Sequence, residues 1–300
     1  MNQEGLRKLR PIRRPTLAAE AAEESVLLDG GSGEPPKPEL EDHETRRLLV
    51  RGKGEPLERD TEGGALAQTI IGADERTRIH STEDLPWRMI CSLRIHSPLG
   101  EMVGTGWLAG PRTVMTAGHC VYHQTQLGGW AERIEIAPGR DDGQTPFGVI
   151  TSRDFSTVQG WMEDEDPEYD FGVIHLKDPL GDRLGWFSIG SLPAHDLESY
   201  RVNISGYPAD RGAGRQQWFH ANRILHVSDR RIFYDVDTYG GQSGSPVWIY
   251  QEGSEEPLVV GVHAYGVGGT PAALKITANS SPRIIPPTAN LVRRWVETAG

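Results

Sequence analysis

The segment Tyr239-Gly240-Gly241-Gln242-Ser243-Gly244-Ser245-Pro246, read with Thr116-Ala117-Gly118-His119-Cys120 far upstream, constrains this chain more than any other feature. A serine hydroxyl is a weak nucleophile at neutral pH unless a neighbouring base takes its proton. The oxyanion it creates needs preorganised donors, and backbone N–H groups supply them where glycine lets the chain turn tightly. The turn at Gly241, Gln242, Ser243 and Gly244 offers the N–H groups of Gly241 and Ser243, and His119 offers the base. The fold must therefore bring two distant loops to one point. A carboxylate is also needed to orient the histidine and stabilise its cation. Asp170 is the candidate, at the head of the apolar run Phe171-Gly172-Val173-Ile174-His175-Leu176. The acids Glu163, Asp164, Glu165 and Asp166 sit in a polar, proline-containing stretch and read as a solvated loop, with a calcium site as the minority alternative. The chain order His119, Asp170, Ser243 excludes an α/β-hydrolase, which runs Ser, acid, His.

Strand-like runs surround these motifs, at 88–95, 102–109, 113–116, 133–137, 148–152, 171–176, 201–205, 217–227, 231–236, 246–250, 258–263 and 273–277. Turn residues such as Pro98, Gly110-Pro111, Gly139, Pro208 and Gly253 separate them, which predicts an all-β fold of barrels. Leu291, Val292, Trp295 and Val296 mark one face of a closing helix over about 288–298, starting at Thr288 or Asn290. Residues 1–68 contain no Phe, Trp or Tyr and are rich in Pro, Glu, Arg and Gly. Such a composition cannot bury enough apolar surface to offset its ordering entropy, so it reads as a disordered leader or propeptide. Residues 69–300 then form the folded domain. No run reaches the ~20 apolar residues of a membrane span, and no apolar h-region of a signal peptide follows Arg7, Lys8, Arg10, Arg13 and Arg14. The net charge of −11 argues against a nucleic-acid surface.

The serine and histidine motifs resemble those of trypsin-like serine proteases. Longer segments narrow the likeness to glutamyl endopeptidases of the staphylococcal and Bacillus type. These are Ile71-Gly72-Ala73-Asp74-Glu75-Arg76-Thr77-Arg78, Gly104-Thr105-Gly106-Trp107, 113–120, Ile204-Ser205-Gly206-Tyr207-Pro208 and 237–247. The resemblance implies two six-stranded antiparallel β-barrels, about 69–180 and 181–285. His119 and Asp170 would lie in the first, Ser243 in the second, and the site in the cleft between them. It also implies protein or peptide substrates, a monomer, a secreted or cell-surface location, and no cofactor beyond calcium for stability.

In such enzymes the S1 pocket is lined by residues before the serine and by the strand after it, here Thr238, His263, Tyr265 and Gly266. A histidine and a hydroxyl there would meet a substrate glutamate, whose buried carboxylate must be hydrogen-bonded. Asp237 at the pocket base would instead attract Arg or Lys, and the match over 237–247 implies that its side chain turns away. Cleavage after Gln68 would free the α-amino group of Thr69, which the resemblance places near the acidic substrate; alternatively Thr69 merely begins the ordered domain. The resemblance leaves open whether Cys91 and Cys120, the only cysteines, form a disulfide or stay as two buried thiols. No Cys or His spacing suggests a metal site. A protease of other specificity and a silent protease-like binding module remain the alternatives.

Overall fold

The computed structural model describes residues 2–15, 48–53 and 70–298. Helix α1 (Gln3–Lys8) and strand β1 (Pro11–Arg13) come first, then β2 (Thr77–Arg78). β3 (Ile90–Ser97), β4 (Gly100–Gly110) and β5 (Thr113–Thr116) form a meander that ends in the one-turn helix α2 (Gly118–Val121). After the short hairpin β6 (Tyr122–His123) and β7 (Gly129–Trp130) come β8 (Arg133–Pro138), β9 (Ile150–Ser152) and β10 (Phe155–Val158). Helix α3 (Gln159–Met162) then leads to β11 (Gly172–His175).

The hydrogen-bonded order of this sheet is β1-β10-β11-β5-β4-β3-β8-β9. Only Arg153 and Asp154 separate β9 from β10, so one bent strand closes both ends of the sheet into a barrel. Counted that way the first barrel has the six expected strands, and β1 is an addition to its edge. The second barrel takes β13 (Arg201–Gly206), β14 (Trp218–Val227), β15 (Arg231–Tyr234), β16 (Pro246–Tyr250), β17 (Pro257–Val262) and β18 (Asn279–Pro282). An isolated bridge between Gly261 and Arg283 closes it. β12 (Ser188–Ile189) joins β17 in parallel, and β2 joins β14. The all-β expectation holds. Residues 273–277 are not a strand, however; a 3₁₀ turn at Ala272–Leu274 takes their place.

Most strands are apolar on both faces because each barrel wall is buried twice. Leu93, Ile95, Val114, Ile136 and Ile174 fill the first barrel, and Val202, Ile204, Val247, Ile249 and Val260 fill the second. The alternate residues Trp107, Met115, Val173, Trp248 and Tyr250 point the other way, into a third cluster shared by both barrels. Helix α4 (Pro286–Thr298) buries Leu291, Val292 and Trp295 as expected, but begins at Pro286, where a proline's fixed φ suits the first turn.

The leader departs from expectation. Residues 2–15 and 48–53 are folded onto the barrels rather than disordered. β1 pairs antiparallel with β10, Leu9 and Leu49 are buried, and Asn203 exchanges two hydrogen bonds with the backbone of Val50 (2.9 Å each). These segments have too little apolar surface to fold alone, but they borrow the barrels' surface and an open strand edge. Residues 16–47 and 54–69, including Thr69, lie outside the described residues.

Candidate active site

β5 delivers the chain to α2, and His119 lies in that single turn. Asp170 follows a 3₁₀ turn at Pro167–Tyr169, at the entrance to β11. Because β11 pairs with β5 in the register Gly172↔Thr116, the two loops emerge side by side. Asp170 is fully buried and holds His119 at two points: Oδ1 accepts the backbone N–H (2.9 Å) and Oδ2 takes Nδ1 (2.8 Å). With the Nδ1 proton donated to the carboxylate, Nε2 is left as the acceptor a general base needs. The glycine before the histidine has a steric cause. A Cβ on Gly118 would come within 2.7 Å of the Trp161 ring and 3.0 Å of Asp170 Oδ1.

The serine turn sits against the same place. The Ser243 carbonyl accepts the Thr105 N–H (2.9 Å) and the Cys120 thiol (3.7 Å), one residue beyond His119. Gly241 and Gly244 have φ of +100° and +93°, and a Cβ on Gly244 would fall on the Thr105 carbonyl and the Thr116 hydroxyl. Gln242 N–H bonds Tyr239 O (2.9 Å) and Ser245 N–H bonds Gln242 O (3.0 Å), which pins the turn. Among the described residues, the N–H groups of Gly241 and Ser243 have no internal acceptor. Two donors in a rigid turn suit a developing oxyanion.

Burial would depress the His119 pKa, but the Asp170 charge, with a smaller contribution from Cys120, overrides it and holds the value well above that of ordinary histidine. His263 goes the other way: burial, reinforced by His119, pushes it down to about 3. Its Nδ1 lies 2.7 Å from the Tyr234 hydroxyl, whose proton is held tightly by burial. His263 is thus a neutral ring, and the tautomer in which Tyr234 donates to Nδ1 presents Nε2–H as its donor. The backbone of His263 is fastened to the serine turn through Gly244 N–H (2.7 Å) and Ser245 O (2.9 Å).

The family model described as "Trypsin-like peptidase domain" matches residues 104–262, which contain His119, Asp170 and Ser243 and end one residue before His263. The chain belongs to the trypsin-like peptidases. A glutamyl endopeptidase of Bacillus licheniformis is 39% identical over 205 residues, 67% of this chain and 62% of that protein. A Bacillus subtilis protein named extracellular metalloprotease is 40% identical over 182 residues, 60% of this chain and 57% of that one. The peptidase thus spans less than two thirds of either relative's length. A solved structure of a Glu endopeptidase in complex with MPD superposes with a TM-score of 0.65 at 26% identity, covering 76% of this chain and 99% of that one.

The remaining expected site residues fall unevenly on this peptidase frame. Thr238 is fully buried just upstream of the serine turn. Tyr265 lies with its ring centroid 6.5 Å from that of His119, and burial together with Asp170 raises its pKa, so its hydroxyl stays protonated beside the carboxylate. Gly266 leads into a 3₁₀ turn at Val267–Gly269. The oxygens of Asp237 accept the N–H groups of Ile71 (2.8 Å) and Glu75 (3.0 Å), so this acid anchors the chain that enters the domain. Glu75, His220 and Asp237 bring three potential metal ligands together, but His220 Nδ1 already accepts the Asp237 N–H (2.7 Å).

The disulfide alternative fails: Cys91 and Cys120 are both free and buried. A Cβ on Gly104 would lie 3.1 Å from Cys120 Sγ, so the thiol sits over Gly104, and the residue paired with Gly104 across the sheet is Leu93. Cys91 is two positions further along β3, a displacement of ~6.6 Å along the strand. The sequence reading missed Tyr234, Trp161 and the support beneath Asp170. A tyrosine or tryptophan within a strand or loop carries no local sign that it will orient a distant histidine.

Proposed function

We propose that this peptidase is a serine endopeptidase that cleaves protein or peptide chains after Glu, and less readily after Asp. The two-point grip of Asp170 on His119, beside a serine turn with two uncommitted N–H groups, carries the reading. His119 Nε2 takes the Ser243 proton as Oγ attacks the scissile carbonyl carbon. The carbonyl electron pair moves to the oxygen, where the N–H groups of Gly241 and Ser243 receive it. The C–N bond then breaks as His119 protonates the leaving amine. Water repeats the sequence on the acyl-enzyme, returning the proton to Ser243 and releasing the acid. Asp170 stays ionised throughout and balances the imidazolium.

Preference for an acidic side chain is supported by the neutral ring of His263, by the hydroxyl of Thr238 just upstream of the serine turn, and by the engagement of Asp237 with backbone amides. An acid already so occupied is a poor anchor for Arg or Lys. Tyr265 and Gly266 would line the cleft. The names of the Bacillus licheniformis relative and the solved neighbour agree with this preference. Export, action as a monomer and maturation that frees Thr69 belong to the same proposal. The name of the Bacillus subtilis relative supports export, and no helix among the described residues is long and apolar enough to cross a membrane.

The test is mass-spectrometric mapping of cleavages in a mixed peptide library, with Ser243→Ala as control. Cuts after Glu that vanish in the control are expected. Cuts after Arg or Lys would overturn the specificity, and cuts that survive in the control would overturn the nucleophile.

A further inference from the structure

The described part of the leader touches the loop that carries the catalytic acid. Strand β1 adds to the edge of β10 in the register Pro11↔Val158, Ile12↔Thr157, Arg13↔Ser156. Arg14 N–H bonds Phe155 O (2.8 Å), Gln159 N–H bonds Arg10 O (2.9 Å), and the Arg13 guanidinium grips the Asp154 carboxylate through Nε (2.7 Å) and Nη2. This side of the segment reads as ordinary edge protection.

The other side does not. Lys8 Nζ lies 2.8 Å from Asp166 and 3.3 Å from Asp164, two of the acids read from the sequence as a solvated loop. Asp166 in turn caps the 3₁₀ turn Pro167–Tyr169 by accepting the Glu168 N–H (3.0 Å), and the residue that ends this turn is Asp170. The Tyr169 ring lies within cation–π range of both Lys8 (5.6 Å) and Arg230 of the second barrel (4.6 Å). The packing leaves no slack. A Cβ on Gly160 would come within 2.8 Å of the Tyr169 ring and 2.9 Å of Lys8 Cβ. The same loop supplies Trp161, whose ring centroid is 6.2 Å from that of His119. An isolated exposed ion pair contributes little, but here the lysine is mostly covered and its partner is also a cap.

We infer that the N-terminal segment is a working part of the catalytic unit, in which Lys8 is a positioning residue for Asp170, acting through Asp166 and the turn that Asp166 caps. A leader cut further along the chain would then have to stay bound for full activity. This inference rests on the proposed role of Asp170.

The test uses the full chain with Lys8→Met, Lys8→Arg and, as a structural control, Arg13→Gln. Lys8→Met should lower kcat about fivefold or more while KM stays within about twofold, the pattern of a lost transition-state contribution. Lys8→Arg should restore most of it, and Arg13→Gln should lower the unfolding midpoint but not kcat. A second readout needs no turnover. In the Ser243→Ala background, the His119 Nδ1 proton shared with Asp170 is followed by NMR as a function of pH. The groups facing that ring are Asp170, Cys120, His263 and Tyr265. Lys8→Met should lower the titration midpoint of this proton, because the high midpoint depends on a well-placed Asp170. Unchanged kcat and midpoint in folded Lys8→Met would overturn the inference, as would an equal loss of kcat in Arg13→Gln. If Lys8→Met does not fold, Asp166→Asn tests the same link. If the wild type cleaves nothing, even after its leader is cut before Thr69, the proposed function fails and the NMR midpoint still decides the role of Lys8.

Discussion

Asp170 is fully buried and its two oxygens hold His119, so the pair stands or falls together. Asp170→Asn keeps the shape but cannot hold the Nδ1–H tautomer, so kcat should fall on the order of 10⁴-fold with the fold retained. Steady-state kinetics and circular dichroism check both halves. The pH dependence follows from the same pair. Because His119 is held above its ordinary value, it stays protonated further up the scale, and only its neutral form is a base. The acid limb of kcat/KM should therefore lie above pH ~6.5. The stability contributed by the raised pKa is fully present below the unfolded histidine value and is lost as pH rises through the folded one. His263, low at about 3, contributes no second transition near neutrality. Replacing it with Phe should cut kcat/KM for Glu substrates by about 100-fold, and by much less for apolar ones, in the same peptide assay.

Among the elements, the serine turn is the least forgiving. Gly244→Ala would set a Cβ on the Thr105 carbonyl at a φ that only glycine adopts readily. Its cost should exceed about 3 kcal/mol, measured by urea unfolding, with activity lost even in the folded fraction. Sequence reasoning found apolar or alternating strands, long ones such as β3, β4, β14 and β17 and four-residue ones such as β5 and β11. β10 was missed because two of its four residues, Ser156 and Thr157, are polar. β18 reads Asn-Ser-Ser-Pro, which looks like a turn, yet all four residues are buried. Two of its side chains find partners inside: Asn279 donates to Val236 O (2.7 Å) and Ser280 receives Arg231. A buried polar strand is satisfied by neighbours that no local pattern announces.

The two barrels share one aromatic seam. Trp87, Trp107, Phe187, Phe219 and Trp248 come from the segment before the first barrel, its strand β4, the link between the barrels, and the second barrel, with contacting ring centroids 5.3 to 6.3 Å apart. Edge-on and tilted contacts of this kind add to the area buried. Trp248→Ala should cost roughly 3–5 kcal/mol. Because the seam belongs to both barrels, urea unfolding of the wild type should follow one transition by fluorescence and by loss of activity. Two separated transitions would show that each barrel is held by its own core alone.

The chemistry of the site was legible because it resides in short, local demands: glycines that permit a left-handed turn, a histidine after a small residue, an acid at the head of an apolar strand. Barrel architecture was legible for a similar reason, since alternation and turn residues act over a few positions. What remained depends on which residues meet across the fold. The Cys91 and Cys120 thiols lie apart because strand register pairs Gly104 with Leu93. Asp237 is engaged by backbone amides more than 160 positions earlier in the chain, and His263 is neutral because burial and the nearby His119 lower its pKa. The leader's composition spoke for disorder, and only the barrel edge and the Asp166 turn turned two pieces of it into structure. Burial and pairing are properties of place, and place is decided by the tertiary fold.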